Sequence, residues 1–384
     1  CIRDSTMTDT KYDICIVGLK CYDQLKDTPM PRYLGGIERQ LVDLARLCRD
    51  SGLRVAFVTY DHGQPAMEQV DGIDVFASHD ADAGMPGLRF IWPRTTRFVR
   101  VLRGIQAKTF VQMGAGIDVG RLAWAKRGSS SRYVFYIASD GDCTTDLPFL
   151  SNRRDKAAYR YGLRRADLVI SQTDKQQGLL RQHFNIDSIV ARMPYIGPKD
   201  YDDQSATDER DRPKFLWVGR LQDIKRVEWL LDVAENLPNC EFHIAGAANK
   251  DSEYANEMAQ RANAANNVVY HGKIWGDALW DLYASSTALC CTSLIEGFPT
   301  TFIEACYFGL PIVTTFDPDG FVQTNDLGMH VETREALQRE LERLVADPEI
   351  RQHRSEAARQ AFGRIFSAEA CLDDLLDAML PGHF

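Results

Sequence analysis

The sequence predicts an α/β protein of two Rossmann-like domains with parallel sheets, facing each other across a cleft. Three observations carry that expectation. The chain has 384 residues, and at about 150 residues per domain this suggests two or three domains. Short apolar runs alternate with amphipathic helical patterns along the chain, the signature of parallel α/β architecture. One stretch, Pro194–Pro213, interrupts the alternation with prolines and acids and reads as a linker. The expected division is a first domain over 1–195, a linker over 196–213 and a second domain over 214–366.

In the first domain, Asp13–Gly18 is an apolar strand ending in glycine. A helix follows over Ile37–Arg49, with Ile37, Leu41, Leu44, Ala45 and Cys48 on one face. Arg54–Tyr60, Thr109–Met113, Tyr133–Ala138, Leu168–Ser171 and Ser188–Ala191 are further strands. Helices are expected over 94–105, 152–165 and 174–184. After the linker the pattern restarts with strand Lys214–Gly219 and helix 225–236. Strands Glu241–Gly246, Val268–His271, Ala288–Thr292 and Pro311–Thr315 alternate with helices over 251–264, 276–285 and 300–308. The tail from 334 to 380 reads as nearly all helix.

Composition narrows the function classes. Apolar residues make up 45% and charged residues 26%, ordinary for a globular protein and unlike a disordered chain. The net charge of −9 argues against a dedicated nucleic-acid binder. That charge is unevenly spread: residues 1–200 carry +6 and residues 201–384 carry −15. The asymmetry points to domains with different partners. No run of 18 apolar residues is present, so no spanning helix is expected. No basic segment leads into an apolar one near the start, so no secretory signal is expected. The ten cysteines are scattered without a C-x-x-C pair, which fits reduced thiols in a cytosolic protein.

The sharpest motif is Glu296-Gly-Phe-Pro-Thr-Thr-Phe-Ile-Glu304. The Gly297-Phe298-Pro299 turn frees backbone N–H groups, and helix 300–308 presents an N-terminus suited to phosphate. Glu304, one turn into that helix, can reach the same place. Carboxylates bind sugar hydroxyls with about 1.5–3 kcal/mol per charge-assisted bond. The plainer alternative is two solvated glutamates flanking a turn. The second motif is Gly219-Arg220-Leu221-Gln222-Asp223-Ile224-Lys225, a basic pair at a strand end where α/β folds bind ligands. Arg220 and Lys225 can flank a diphosphate there; the alternative is an ordinary turn with two solvated cations.

Together these segments resemble the family-four retaining glycosyltransferases, which have the GT-B fold of two Rossmann-like domains. The resemblance rests on G-R-L-x-x-x-K at 219–225, E-G-F-P-T-T-F-I-E-A at 296–305, and Gly35-Gly36-Ile37-Glu38 opening the first long helix. It is specific over 214–320 and looser in the first half. It implies that Arg220 and Lys225 neutralise a leaving nucleoside diphosphate and that Glu296 binds hydroxyls of the donor sugar. Glu304 would bind the ribose, and the backbone of Gly219 and of Gly297, Phe298, Pro299, Thr300 and Thr301 would line the donor. Gly35 and Gly36 would let the first domain's backbone approach the phosphates, and Ile274 would sit near the base. The resemblance also implies a final helix, 367–384, that packs back on the first domain. No cofactor or metal is implied; a UDP- or GDP-linked sugar is the co-substrate. Negative charge on the leaving group is then met by Arg, Lys and a helix N-terminus. Retention in the family is attributed to front-face attack, a donor phosphate oxygen taking the acceptor proton.

Asp140-Gly141-Asp142 is one of four D-x-D triplets, with 80–82, 200–202 and 317–319, so the pattern is uninformative alone. Its place after strand 133–138 matters more. Relatives carry His-Asp there, and the matching pair in this chain is Ser139-Asp140. Asp140 could orient the acceptor hydroxyl or stabilise a developing oxocarbenium charge, with Ser139 and Asp142 as weaker acceptor-side candidates. A turn cap is the competing reading.

The basic excess is concentrated in Arg89, Arg94, Arg97, Arg100, Arg103 and Lys108, and in Arg153, Arg154, Lys156, Arg160, Arg164 and Arg165. Segments 89–108 and 153–165 are candidates for contact with an anionic membrane; a solvated helix face over a core is the plainer alternative. The histidines, including His79, show no metal spacing. The expected function is retaining, metal-independent sugar transfer to a polysaccharide or lipid-linked glycan at the cytoplasmic membrane face, with no nucleic-acid partner. A sugar-nucleotide epimerase or phosphorylase and a catalytically silent sugar-nucleotide-binding subunit are the alternatives.

Overall fold

The structure, a computed structural model, describes residues 11–85, 90–198 and 212–382. The chain forms two compact units. One takes the residues up to Pro194 together with those from Cys371 onward; the other is Tyr195–Ala370. Most of the expected linker, along with Arg89, lies outside the described residues.

The first unit is an eight-stranded sheet. Its strands are β1 (Tyr12–Val17), β2 (Val55–Thr59), β3 (Met67–Val70), β4 (Ile73–Ala77), β5 (Ala107–Met113), β6 (Arg132–Tyr136), β7 (Leu168–Ser171) and β8 (Ile189–Val190). Their order is β3-β4-β2-β1-β5-β6-β7-β8, parallel except for the β3–β4 pair. All six residues of β1 are buried, as expected of a central strand covered on both faces, and such strands read as continuous apolar runs. The chain fills one side of β1 first, then crosses to β5 on the other, so winding reverses between β1 and β5.

Two larger elements of this unit lie outside the sequence expectation. The β3–β4 hairpin was not foreseen; Asp71 and Gly72, both with positive φ (49° and 76°), make the turn, and Asp-Gly is the dipeptide that favours such turns. A helix over Ile117–Ala125 was also missed. It packs backbone to backbone on helix Arg153–Leu163: a Cβ on Gly120 would lie 2.4 Å from Ala158 O. The helix expected over 94–105 forms over Thr96–Gly104, and a wide turn over Phe90–Thr95 leads into it. Pro93, inside the turn, has no N–H to donate to a regular helix.

The second unit is a six-stranded, wholly parallel sheet of β9 (Lys214–Val218), β10 (Glu241–Ala245), β11 (Val268–Gly272), β12 (Ala288–Cys291), β13 (Ile312–Thr314) and β14 (Gly328–His330). The order is β11-β10-β9-β12-β13-β14. Alternation along β9 feeds two cores: Leu216 packs with Leu289, Phe302 and Ile312 on one face. Phe215 and Trp217 pack with Leu230, Phe242 and Val313 on the other. Winding reverses between β9 and β12.

The tail forms helices Arg334–Ala346, Pro348–Ile365 and Ala368–Met379. In the first unit, Thr109 Oγ1 donates to Met379 O at 3.0 Å and Arg132 Nη1 to Ala378 O at 2.6 Å. These bonds tie the last helical turn to β5 and β6. The nine described cysteines are free, and all but Cys371 are buried. Among the described residues no helix is long and apolar enough to cross a membrane.

Candidate active site

Ligands of doubly wound sheets bind at the carboxyl ends of strands where winding reverses. In the second unit that point lies between β9 and β12. The loops leaving these two neighbours, 219–226 and 292–299, are bonded to each other. Thr292 Oγ1 accepts from Trp217 Nε1 at 3.0 Å and donates to Lys225 O at 2.7 Å. Leu294 N donates to Ile224 O at 2.9 Å. Arg226 Nε donates to Thr292 O and its Nη2 to Thr315 Oγ1, both at 2.8 Å. Arg226 adopts a left-handed conformation (φ 49°, ψ 46°), which costs of order 1 kcal/mol in a non-glycine residue. These bonds, and stacking of its guanidinium 4.1 Å from the Trp229 ring centroid, hold it there.

This stitching brings several of the expected residues together. Lys225 Nζ is ion-paired with Glu296 Oε1, and both side chains are mostly buried. Glu296 is followed by the buried Gly297, Phe298 and Pro299 and then by helix Thr300–Phe308. No side chain caps that helix, and no acid stands in its first turn. Its N–H groups therefore present uncompensated positive charge. Thr300 and Thr301 are half-buried at this end, while Phe298 points into the core against Phe321 and Phe366. Arg220 is exposed on the loop that follows Gly219. That loop is fixed from behind: Gly219 N donates to Ala245 O at 3.0 Å, and a Cβ on Gly246 would lie 1.7 Å from Gly219 O. Ile274 is half-buried against the core of this unit.

Glu304 lies deeper than the sequence suggested. It is 7% exposed, and Tyr283 OH donates to its Oε2 at 2.6 Å. Burial and the neighbouring carboxylate raise the Tyr283 pKa well above the usual phenol range, so the hydroxyl stays a donor.

In the first unit, Gly35 caps helix Gly36–Asp50 with extended backbone (φ −173°). A Cβ there would meet only the Glu38 carboxylate, so the local fold does not itself require glycine. The Ser139–Asp142 stretch is a cap, the competing reading of that triplet. Ser139 Oγ accepts from Gly141 N at 3.3 Å, and Asp142 Oδ2 accepts from Ala138 N and Ser139 N at 3.2 and 3.3 Å. Both side chains thus serve the backbone of a short 3-10 turn. Burial raises the Asp142 pKa to about 6. Asp140 is buried and engages the first turn of helix Asp174–Phe184: Lys175 Nζ lies 2.8 Å from Oδ2, and Gln176 Nε2 donates to Oδ1 at 3.2 Å.

Sequence reasoning missed Tyr283, Thr292, Arg226, Lys175 and Gln176. None belongs to a recognisable string; each reaches the site from a separate element. Arg226 alone left a signal, as a third cation beside Lys225. Among the described residues no three His, Cys, Asp or Glu side chains are grouped to hold a metal ion.

Two doubly wound units, with a Lys225–Glu296 pair and a helix N-terminus at the switch point of the second, are the architecture of the GT-B class. Residues 35–195 match the family described as glycosyl transferase 4-like domain, and residues 199–361 match glycosyl transferases group 1. The chain belongs to this family, the GT4-type GT-B glycosyltransferases, which act on nucleotide sugars. It is 35% identical over 115 residues to a lipopolysaccharide 1,6-galactosyltransferase of Salmonella typhimurium, covering 28% of this chain and 31% of the relative. Its fold is similar to sucrose-phosphate synthase from Thermosynechococcus elongatus (TM-score 0.73, 17% identity, 95% and 97% of the two chains). It is also similar to Anabaena HepE in complex with UDP-glucose (TM-score 0.70, 16% identity, 95% and 98%).

Proposed function

We propose that the protein is a retaining, metal-independent hexosyltransferase moving a sugar from a nucleotide-sugar donor to a polysaccharide or lipid-linked glycan. The observation that carries this reading is the Lys225–Glu296 pair beside the uncapped N-terminus of helix 300–308. In transfer, the bond from sugar C1 to the diphosphate oxygen breaks and a bond from the acceptor oxygen to C1 forms. The acceptor proton passes to a donor phosphate oxygen. Charge builds on the departing diphosphate, and Lys225, Arg220 and the helix N–H groups meet it without a metal. Glu296 accepts from sugar hydroxyls and Glu304 from the ribose, while Gly35, Gly36 and Ile274 flank phosphates and base. Asp140, held by Lys175, orients the acceptor.

A UDP-sugar is the first donor to test, because the similar Anabaena structure holds UDP-glucose. A glycan acceptor is favoured by the lipopolysaccharide galactosyltransferase relative. We place the reaction at the cytoplasmic membrane face, with exposed Ile91 and Trp92 and the outward Arg97 and Arg100 as the contact. The test is acceptor-dependent release of UDP from UDP-sugars, with and without EDTA, and NMR of the anomeric product. Activity that survives EDTA with the donor's anomeric configuration retained is expected. Loss restored by Mn²⁺, or an inverted product, would overturn the mechanism.

A further inference from the structure

The first unit holds a cavity of about 340 Å³ that the proposed donor chemistry does not use. It lies at the carboxyl ends of three strands: Tyr60 follows β2, His79 lies just beyond β4, and Ile117 opens the helix after β5. Its size sits at the lower end of small-molecule sites, about 300–1,000 Å³, which suits a single sugar ring with one substituent.

Three arginines give the cavity its character. Arg121 is 8% exposed; its Nη1 pairs with Asp118 at 2.7 Å and its Nη2 donates to Phe90 O at 2.9 Å, but its Nε has no partner. A buried donor without an acceptor is costly, and an anion in the cavity would complete this guanidinium. Arg154 pairs with Asp155 at 2.9 Å and stacks 4.3 Å from the Phe90 ring centroid. Arg94 donates from Nε to Ala83 O at 3.0 Å and has no carboxylate partner among the described residues. With both aspartates already paired, Arg94 leaves the lining net positive. His79 adds no charge at neutral pH, since burial lowers its pKa to about 4. Guanidinium groups match phosphate oxygens in pairs, aromatic faces suit the C–H side of a sugar ring, and the aspartates can accept from hydroxyls.

We propose that this cavity binds a phosphorylated sugar unit, its phosphate on Arg94, Arg121 and Arg154 and its ring against Phe90 and Tyr60. The sugar half of this assignment rests on the glycosyl-transfer reading; the anion half does not. It supplies a chemical class for the second substrate, either a free sugar phosphate or a phosphorylated residue at a glycan end.

Calorimetry on the full chain tests it, with glucose 6-phosphate, trehalose 6-phosphate, glucose and inorganic phosphate as probes. Glucose 6-phosphate should bind at least tenfold more tightly than glucose or inorganic phosphate. Arg94→Gln and Arg154→Gln, both at partly exposed positions, should each weaken it tenfold or more, and Arg127→Gln should not. Binding of trehalose 6-phosphate as well identifies a glycan end; exclusion of it identifies a free monosaccharide phosphate. Equal binding of glucose, equal binding of inorganic phosphate, or unchanged binding in Arg94→Gln would overturn the proposal. UDP-glucose is titrated separately: if it fails to bind while glucose 6-phosphate binds, the donor reading falls and the cavity stands. The reverse result removes the cavity alone.

Discussion

Glu304 shows how much one residue's role depends on a neighbour the motif does not contain. The string E-x7-E marks it as a ligand for a sugar nucleotide, yet most of its surface is covered and Tyr283 holds one oxygen. Glu304→Ala should therefore cost roughly 1–3 kcal/mol of stability, because a buried hydroxyl loses its acceptor, in addition to raising donor KM. Glu304→Gln keeps an oxygen for Tyr283, so most of the stability should return while donor KM stays raised. Denaturant melts and steady-state kinetics separate the two; an unchanged KM in Glu304→Gln would remove the ribose role. His79 offers a second test at this scale. Burial lowers its pKa from 6.5 to about 4; Asp118 and Asp80 pull it up, Arg121 and Arg94 push it down. A depressed folded-state pKa contributes stability that is present above pH 6.5 and lost as pH falls toward 4, about 3 kcal/mol in all. Asp142, raised to about 6, works in the opposite sense over much of that window. The comparison is thus wild type against His79→Gln: their stability difference should shrink by that amount between pH 7 and pH 4. A constant difference would mean the ring titrates alike in the folded and unfolded states, and the burial shift would be absent.

At the scale of elements, strands of the parallel sheets were legible because burial on both faces leaves short apolar runs, as in Ile14–Val17 of β1 and Phe215–Val218 of β9. The β3–β4 hairpin was not, since Met67, Glu68 and Gln69 lie partly exposed and carry no apolar run. Helix 117–125 hid for another reason: it owes its place to Gly120 lying against a neighbouring backbone, a contact that leaves no periodic pattern. The two donor loops were found by their motifs, but the bonds that join them were not. Thr292 and Arg226 come from different loops and meet only because β9 and β12 are neighbours. Gly246 tests that joining directly. A Cβ there collides with Gly219 O, so Gly246→Ala must displace the 219–225 loop. We expect kcat/KM to fall tenfold or more while far-UV circular dichroism is retained. Full activity would show that the loop's position is not critical.

For the whole molecule, the net charge of −9 averages two unlike halves. The acidic half contains the proposed anion site, so binding there depends on Lys225, Arg220 and a helix end rather than on overall charge. In the basic half, helix 96–104 buries Phe98, Val99 and Leu102 and turns Arg97, Arg100 and Arg103 outward, the plainer solvated-face arrangement. Exposed Ile91 and Trp92 nearby are what keep a membrane contact in view. Sedimentation with anionic liposomes at low salt should carry the protein down, and Trp92→Ser with Arg97→Gln should weaken this several-fold; no sedimentation would remove the membrane role. The proposed mechanism turns on Lys225, which meets the charge on the leaving diphosphate. The most direct measurement is acceptor-dependent UDP release by wild type and Lys225→Ala at saturating donor. A fall in kcat of about 10²–10³ is expected with the fold intact; equal rates would overturn the role of Lys225.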